Sequence, residues 1–208
     1  AVGNTGISGV NGNIGSNTNG VTGYGNGTHI GTIETVNPVT AQAAADLSDA
    51  YDALIALEPT ITNDNTGRPV DLPLHTANFS NETVVPGVYD ITTAGSVGGT
   101  IILDGQNDED AFFILKFDGA FTVGERVEVK LINGTRAANV FWIAEGAIEV
   151  GANAVIKGAL FSHPGAITLG PNVDVEGRLL STEGAIFIGA GSSVYIPQGE
   201  STIPIKCT

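Results

Sequence analysis

Apolar residues two positions apart recur through the second half of the chain, as Ile148 and Val150, Ile167 and Leu169, and Ile186 and Ile188. That spacing puts both side chains of a pair on one face of a strand. Each pair sits in the same hexapeptide: Gly146-Ala147-Ile148-Glu149-Val150-Gly151, Gly165-Ala166-Ile167-Thr168-Leu169-Gly170 and Gly184-Ala185-Ile186-Phe187-Ile188-Gly189, a period of 19 residues. A further copy, Gly119-Ala120-Phe121-Thr122-Val123-Gly124, precedes the first by 27 residues, the extra length falling in the polar stretch Asn133-Gly134-Thr135-Arg136. Gly99-Thr100-Ile101-Ile102-Leu103-Asp104, 20 residues earlier, reads as a fifth. A unit this short cannot bury its apolar face alone, so neighbours must stack, and the pattern predicts a solenoid.

Each pair is followed by a second short strand ending near Ile156, Val175 and Val194, and by a third, Ala159-Leu160-Phe161 or Arg178-Leu179-Leu180, partly apolar on both sides. Three strands and three corners per unit give a coil of roughly triangular section, with glycine supplying the corner angles. The third strand needs a cover. A helix from about Thr40 to Glu58 provides one: Ala44, Leu47, Tyr51, Leu54 and Ile55 form its apolar stripe, Asp46, Asp49 and Asp52 turn away, and Pro59 stops it. At about 1.5 Å per residue it reaches roughly 27 Å, near the height of six stacked strands. Gly3 to Gly31 has the texture of the coils, so the helix interrupts the solenoid in sequence. We expect a mainly β, single-domain fold over residues 1–208.

Composition narrows the chemistry. Charged residues make up only 14% of the chain, Gly accounts for 29 of 208 residues, and Lys plus Arg number 8 against 22 Asp plus Glu, for a net charge of −14. Phosphate backbones and anionic membranes are repelled, so nucleic acid is excluded as a partner. No apolar run reaches the roughly 18 residues of a membrane span, and the start, Ala1-Val2-Gly3-Asn4, lacks a leader pattern, so a soluble, mature chain is expected. Cys207 is the only cysteine and cannot form an intrachain disulfide. Asn26, Asn78, Asn81 and Asn133 head Asn-x-Ser/Thr sequons that chance explains as well as glycosylation.

His29, His75 and His163 lie far apart without metal spacing, and no Gly-x-Ser-x-Gly elbow is present, so we expect neither an enzyme nor a cofactor. The acidic run Asp104 to Asp110 lacks the order of a calcium loop and reads as solvated; Trp142, in an apolar run, reads as core. Outward positions of the second strand carry Glu128, Lys130, Lys157, Asp174 and Glu176, which suits solvent. Those of the first strand differ. They read Thr100 and Ile102, Ala120 and Thr122, Ala147 and Glu149, Ala166 and Thr168, Ala185 and Phe187, a strip of small, Thr and apolar side chains with one charge. Rungs about 4.8 Å apart and strand neighbours about 6.7 Å apart make it a two-dimensional grid, and such a strip marks an interaction surface.

Several segments carry a resemblance. Asn139-Val140-Phe141-Trp142, Pro86-Gly87-Val88-Tyr89, Leu103-Asp104-Gly105-Gln106-Asn107 with Phe112-Phe113-Ile114, and Gly12-Asn13-Ile14-Gly15 resemble the microbial ice-binding (antifreeze) protein family, from about Gly3 to Ile196. The resemblance implies a right-handed, discontinuous β-solenoid with an α-helix alongside. Two departures stand out. Members of that family usually begin with an apolar strand ahead of the part similar to Val2-Gly3-Asn4-Thr5-Gly6, so one coil is expected to be incomplete. Their Thr-Ala/Gly-x-Thr/Asn motifs survive only in part, as Thr5-Gly6-Ile7-Ser8 and Thr93-Ala94-Gly95-Ser96, and Gly165-Ala166-Ile167-Thr168 has lost the first Thr.

Together these readings predict a secreted, extracellular antifreeze protein. Its partner would be the ice surface, met through Thr100, Ile102, Ala120, Thr122, Ala147, Ala166, Thr168, Ala185 and Phe187, and its work would be to slow ice growth and recrystallisation. An extracellular structural or adhesive solenoid, with a cell-surface or self-assembly partner, is the alternative. A polysaccharide-acting enzyme is the weaker rival, since no paired carboxylates recur at repeating offsets.

Overall fold

The computed structural model describes residues 1–18, 20–25, 28–59, 62–63, 69–70 and 77–197; His75, Cys207 and the Asn26 sequon lie outside them. Two N-terminal coils come first: β1 (Val2–Asn4), β2 (Gly9–Asn11) and β3 (Ile14–Ser16), then β4 (Val21–Thr22), β5 (Thr28–Ile30) and β6 (Ile33–Thr35). Helix α1 (Pro38–Ile55) follows, then a small antiparallel pair, β7 (Thr62–Asn63) and β8 (Pro69–Val70). The remaining coils are β9 (Asn78–Val84) with β10 (Gly87–Ile91); β11 (Gly95–Asp104) with β12 (Phe113–Phe117); β13 (Phe121–Val123), β14 (Glu128–Ile132) and β15 (Val140–Ala144); β16 (Ile148–Val150), β17 (Val155–Lys157) and β18 (Ala159–Ser162); β19 (Ile167–Leu169), β20 (Asp174–Glu176) and β21 (Leu179–Ser181); and β22 (Ile186–Ile188) with β23 (Ser193–Tyr195).

All the coil strands pair in parallel and line three faces. The first face runs β4-β1-β22-β19-β16-β13 and on to the N-terminal ends of β11 and β9. The second runs from the C-terminal ends of β9 and β11 through β14, β17, β20, β23 and β2 to β5. The third carries β10-β12-β15-β18-β21 and, separately, β3-β6. Because β1 pairs with β22 and β2 with β23, the N-terminal coils stack on the last coil, and the helix carries the chain back along the third face. The repeat predicts the solenoid, and its discontinuity is what the family resemblance implies.

The inward columns come from the alternation itself. Phe121, Ile148, Ile167 and Ile186 stand in register, as do Val123, Val150, Leu169 and Ile188. On the third face Tyr89, Leu115, Trp142, Leu160 and Leu179 form a matching column. Trp142 is core as expected, its ring stacked 5.5 Å from Phe121 and its indole N–H donating to the Lys157 carbonyl at 2.9 Å. In-register stacking lets each buried side chain meet its like above and below, which is how a coil too small for a core of its own acquires one.

The helix starts two residues before, and stops three before, the ends its stripe predicts. At the start, Asn37 accepts from the Thr40 N–H at 2.9 Å while the Thr40 hydroxyl accepts from the Asn37 N–H at 3.0 Å, and Pro38 sits where a missing N–H costs nothing. At the end, Lys116, only 4% exposed, donates from β12 to the carbonyls of Ile55 (3.3 Å) and Leu57 (2.8 Å), satisfying terminal acceptors with a cation. Tyr51 and Leu54, with Leu47 and Ile55 beside them, pack on Val88, Ile114, Ile143 and Phe161 of the third face. This is the cover the third strand requires.

One expected strand assignment is corrected. Gly99 to Asp104 is not a fifth first-face unit: Thr100 pairs with Glu128 and Ile102 with Lys130, which places both on the second face. The first-face rung of that coil is Gly95-Ser96-Val97, opposite Phe121-Thr122-Val123. A single long strand serves both faces, bending at Gly99, whose φ of +64° favours glycine. Gly95 holds the inward position because the Phe117 ring fills that space; a Cβ there would lie 2.1 Å from it.

Candidate binding face

Central to the first face is one outward column in register: Asn78, Ser96, Thr122, Glu149, Thr168, Phe187, Gly3 and Thr22. Eight rungs at about 4.8 Å span roughly 34 Å. The alternation that sends Phe121 and Val123 inward sends Thr122 out, and repeats this at every rung.

Beside this column runs a row of alanines. The Gly95 N–H donates to the Ala120 carbonyl, Phe121 to Ala147, Ile148 to Ala166, Ile167 to Ala185 and Ile186 to Ala1, each at 2.8–2.9 Å, so these alanines are held in step by the ladder. On the other side the row reads Gly98, Gly124, Gly151, Gly170 and Gly189, then Thr5, whose N–H donates to the Ile188 carbonyl at 3.0 Å. Methyls and bare backbone thus flank the central column, in which Glu149 and Phe187 are the longest side chains.

The structure brings together Ala120, Thr122, Ala147, Ala166, Thr168, Ala185 and Phe187 from the sequence-predicted set and separates Thr100 and Ile102 from it. Ala1, Gly3, Thr22 and Asn78 join the face and were not read from the sequence; Ala94 and Ser96 join it from the motif remnant Thr93-Ala94-Gly95-Ser96 but were left out of the predicted set. Ser96 and Ala94 were hidden because their rung has glycine where the others have a large inward residue; the signal was there in Thr93-Ala94-Gly95-Ser96. Phe187 is 48% exposed, yet its ring leans over the neighbouring rung, 3.3 Å from where a Gly3 Cβ would lie. It covers a gap left by glycine more than it breaks the plate. Glu149, exposed, is the one charged side chain of the central column.

Elsewhere the polar groups are engaged structurally. On the second face Lys130 pairs with Glu128 at 3.1 Å and Lys157 with Glu176 at 2.9 Å. In the acidic loop Asp104 accepts from the Gln106 N–H at 2.9 Å and from Asn133 at 2.8 Å, Asp108 accepts from the Asp110 N–H at 2.9 Å, and Glu109 meets Arg136 at 2.7 Å. His29 bonds the Gly12 carbonyl at 3.0 Å; His163 bonds Thr182 at 2.8 Å and stacks on Tyr51, whose hydroxyl donates to Glu145. No group of three or more metal-ligating side chains forms among the described residues.

A family model described as ice-binding-like matches residues 1–193. Ice-binding protein 1 of Shewanella frigidimarina (strain NCIMB 400) is 34% identical over 125 residues, covering 58% of this chain and 13% of that protein. An ice-binding protein of Flammulina populicola is 29% identical over 119 residues, 57% of this chain and 43% of that one. The chain therefore spans less than half the length of these curated relatives. Among solved structures, the ice-binding protein of the Antarctic ascomycete Antarctomyces psychrotrophicus superposes with a TM-score of 0.84 at 25% identity, covering 95% of this chain and 91% of that one. One from an Antarctic bacterium of the Flavobacteriaceae gives 0.84 at 36% identity, over 94% of this chain and 43% of that one.

Proposed function

The chain belongs to the ice-binding-like family, whose model spans residues 1–193, and from that premise we propose that it binds ice, as its relatives' names say of them, and that it does so by adsorbing through the first face. The observation that carries the choice of face is the in-register column from Ser96 to Thr22, flanked by the alanines. Alanine methyls then recur about 4.8 Å apart across strands, with the hydroxyls of Ser96, Thr122 and Thr168 at several rungs about 6.7 Å from them along the strands, a grid on which water can be ordered into a patch that joins a lattice. Thr and Ala lose little rotamer freedom on contact, so ordering the protein side costs little. Molecules pinned at intervals hold back the crystal front between them and so slow growth and recrystallisation.

The second face suits this less well, since long, hydrated lysine and glutamate side chains hold their own water out of step with a lattice. The reading places the work outside the cell, where an adsorbent meets growing ice, and assigns no reaction and no cofactor. It is tested by freezing a dilute solution slowly onto a cold finger and measuring the protein in each phase. Enrichment in the ice several-fold over a folded acidic control is expected; exclusion equal to the control's contradicts adsorption.

A further inference from the structure

Each alanine of the first-face row stands between two peptide groups. The group that follows it belongs to the sheet: the Ala147 carbonyl accepts from the Phe121 N–H, that of Ala166 from Ile148 and that of Ala185 from Ile167, at 2.8–2.9 Å. The group that precedes it joins it to a glycine, Gly146, Gly165 or Gly184. These corners exclude larger residues. A Cβ on Gly165 would lie 2.3 Å from the Gly146 carbonyl carbon, and one on Gly184 2.0 Å from the Gly165 carbonyl oxygen. The residue with the freest backbone thus stands where the alanine is aimed, and something else must fix it.

Two serines do so. The hydroxyl of Ser162, a fully buried residue, donates toward the Gly146 and Gly165 carbonyls, each at 2.7 Å. That of Ser181 donates toward Gly165 at 2.9 Å and Gly184 at 3.1 Å. A continuous chain from Gly146 through Ser162, Gly165 and Ser181 to Gly184 therefore crosses three rungs at the corner between the third face and the first. On the helix side of that corner His163 bonds Thr182 at 2.8 Å, linking the same two turns a second time. The serines pair in register and stand where the corner is longest. Two residues separate Ser162 from Gly165 and Ser181 from Gly184, whereas one separates Ala144, the register partner of Ser162, from Gly146.

We infer that Ser162 and Ser181 are positioning residues for ice adsorption: by holding the glycine peptides they set the height and direction of Ala147, Ala166 and Ala185, and so the spacing of the row that meets the lattice. The inference rests on adsorption through the first face. Each of these alanines is then held on both sides, by the sheet through its own carbonyl and by a serine through the carbonyl before it. A row fixed in advance loses nothing to ordering when it docks, whereas a row whose rungs tilt independently meets the lattice at fewer points at once. One hydroxyl proton serves two carbonyls at each serine, so a methyl in its place releases two glycine peptides together.

The test compares Ser162→Ala and Ser181→Ala with Val175→Ala and Thr168→Tyr in the full chain. Val175 is buried behind the second face, so its truncation loosens the core away from the corner. Hysteresis is read with each variant shown by circular dichroism to be folded, and amide exchange is followed at Ile148 and Ile167, whose N–H groups bond to the alanine row. Both serine variants are expected to lose hysteresis several-fold and to exchange faster at those two amides, while Val175→Ala keeps the parent's values of both. Ser181→Ala, at a half-buried position, decides alone if Ser162→Ala does not fold. The inference is overturned if the serine variants keep the parent's hysteresis while Thr168→Tyr loses it, or if Val175→Ala loses as much as they do, which marks general softening. Loss of hysteresis with exchange at Ile148 and Ile167 unchanged also overturns it. If Thr168→Tyr keeps full hysteresis, the first-face reading itself has failed and the inference falls with it.

Discussion

Glu149 interrupts an otherwise uncharged column between Thr122 and Thr168. Replacing it as Glu149→Thr removes a hydrated charge and extends the run of hydroxyls, so freezing-point hysteresis is expected to rise; a fall would show that Glu149 contributes to adsorption. Tyr89 gives a prediction of another kind. Burial pushes its hydroxyl up to about 12. The folded state thus holds this proton after the unfolded chain has released it. The associated stability is complete below pH 10 and is lost as pH rises toward 12, roughly 3 kcal/mol in all, and urea titrations between pH 9 and 12 read it. At this scale the sequence was partly legible. Trp142 and the inward isoleucines followed from alternation, while Thr100 and Ile102 were misplaced because Gly95 conceals the rung that belongs in their stead. The capping role of Lys116 was not legible at all, since it arises from a strand and a helix end about sixty residues apart.

Among the elements, the helix bears the clearest test. Leu54 is 1% exposed within the cluster that includes Ile114, Ile143 and Phe161. Leu54→Ala is expected to cost about 2–5 kcal/mol through the cavity it leaves, measured by urea denaturation; a loss under about 0.5 kcal/mol would mean that the helix does not seal the third face. Its existence and stripe were readable, since a spacing of three and four residues contrasts with the alternation around it. Its ends were not, because each is set by a hydrogen bond rather than by hydropathy. The strands divide in the same way: units of constant length, from β16 onward, announced themselves by their period. The coil of β9 and β10 did not, because β9 crosses two faces and its buried Phe79 and Val84 stand five positions apart, off the two-residue alternation.

For the whole molecule, the solenoid and its three faces follow from the repeat and were legible; the return of the N-terminal coils to the last coil was not, because no sequence period marks the pairing of β1 with β22 and of β2 with β23. The face proposed to meet ice was read as one of two, because charge separates them: Lys157 and Glu176 on the second, Thr122 and Thr168 on the first. The most direct measurement of that choice is the freezing-point hysteresis of Thr168→Tyr beside that of Lys157→Tyr, with the melting temperature of each protein recorded. The ring at position 168 holds the plate a ring's width from the lattice without entering the core. The account predicts a large loss of hysteresis for Thr168→Tyr, hysteresis like that of the parent chain for Lys157→Tyr, and little change in either melting temperature. Full hysteresis in Thr168→Tyr together with its loss in Lys157→Tyr would contradict the account and move the site to the second face.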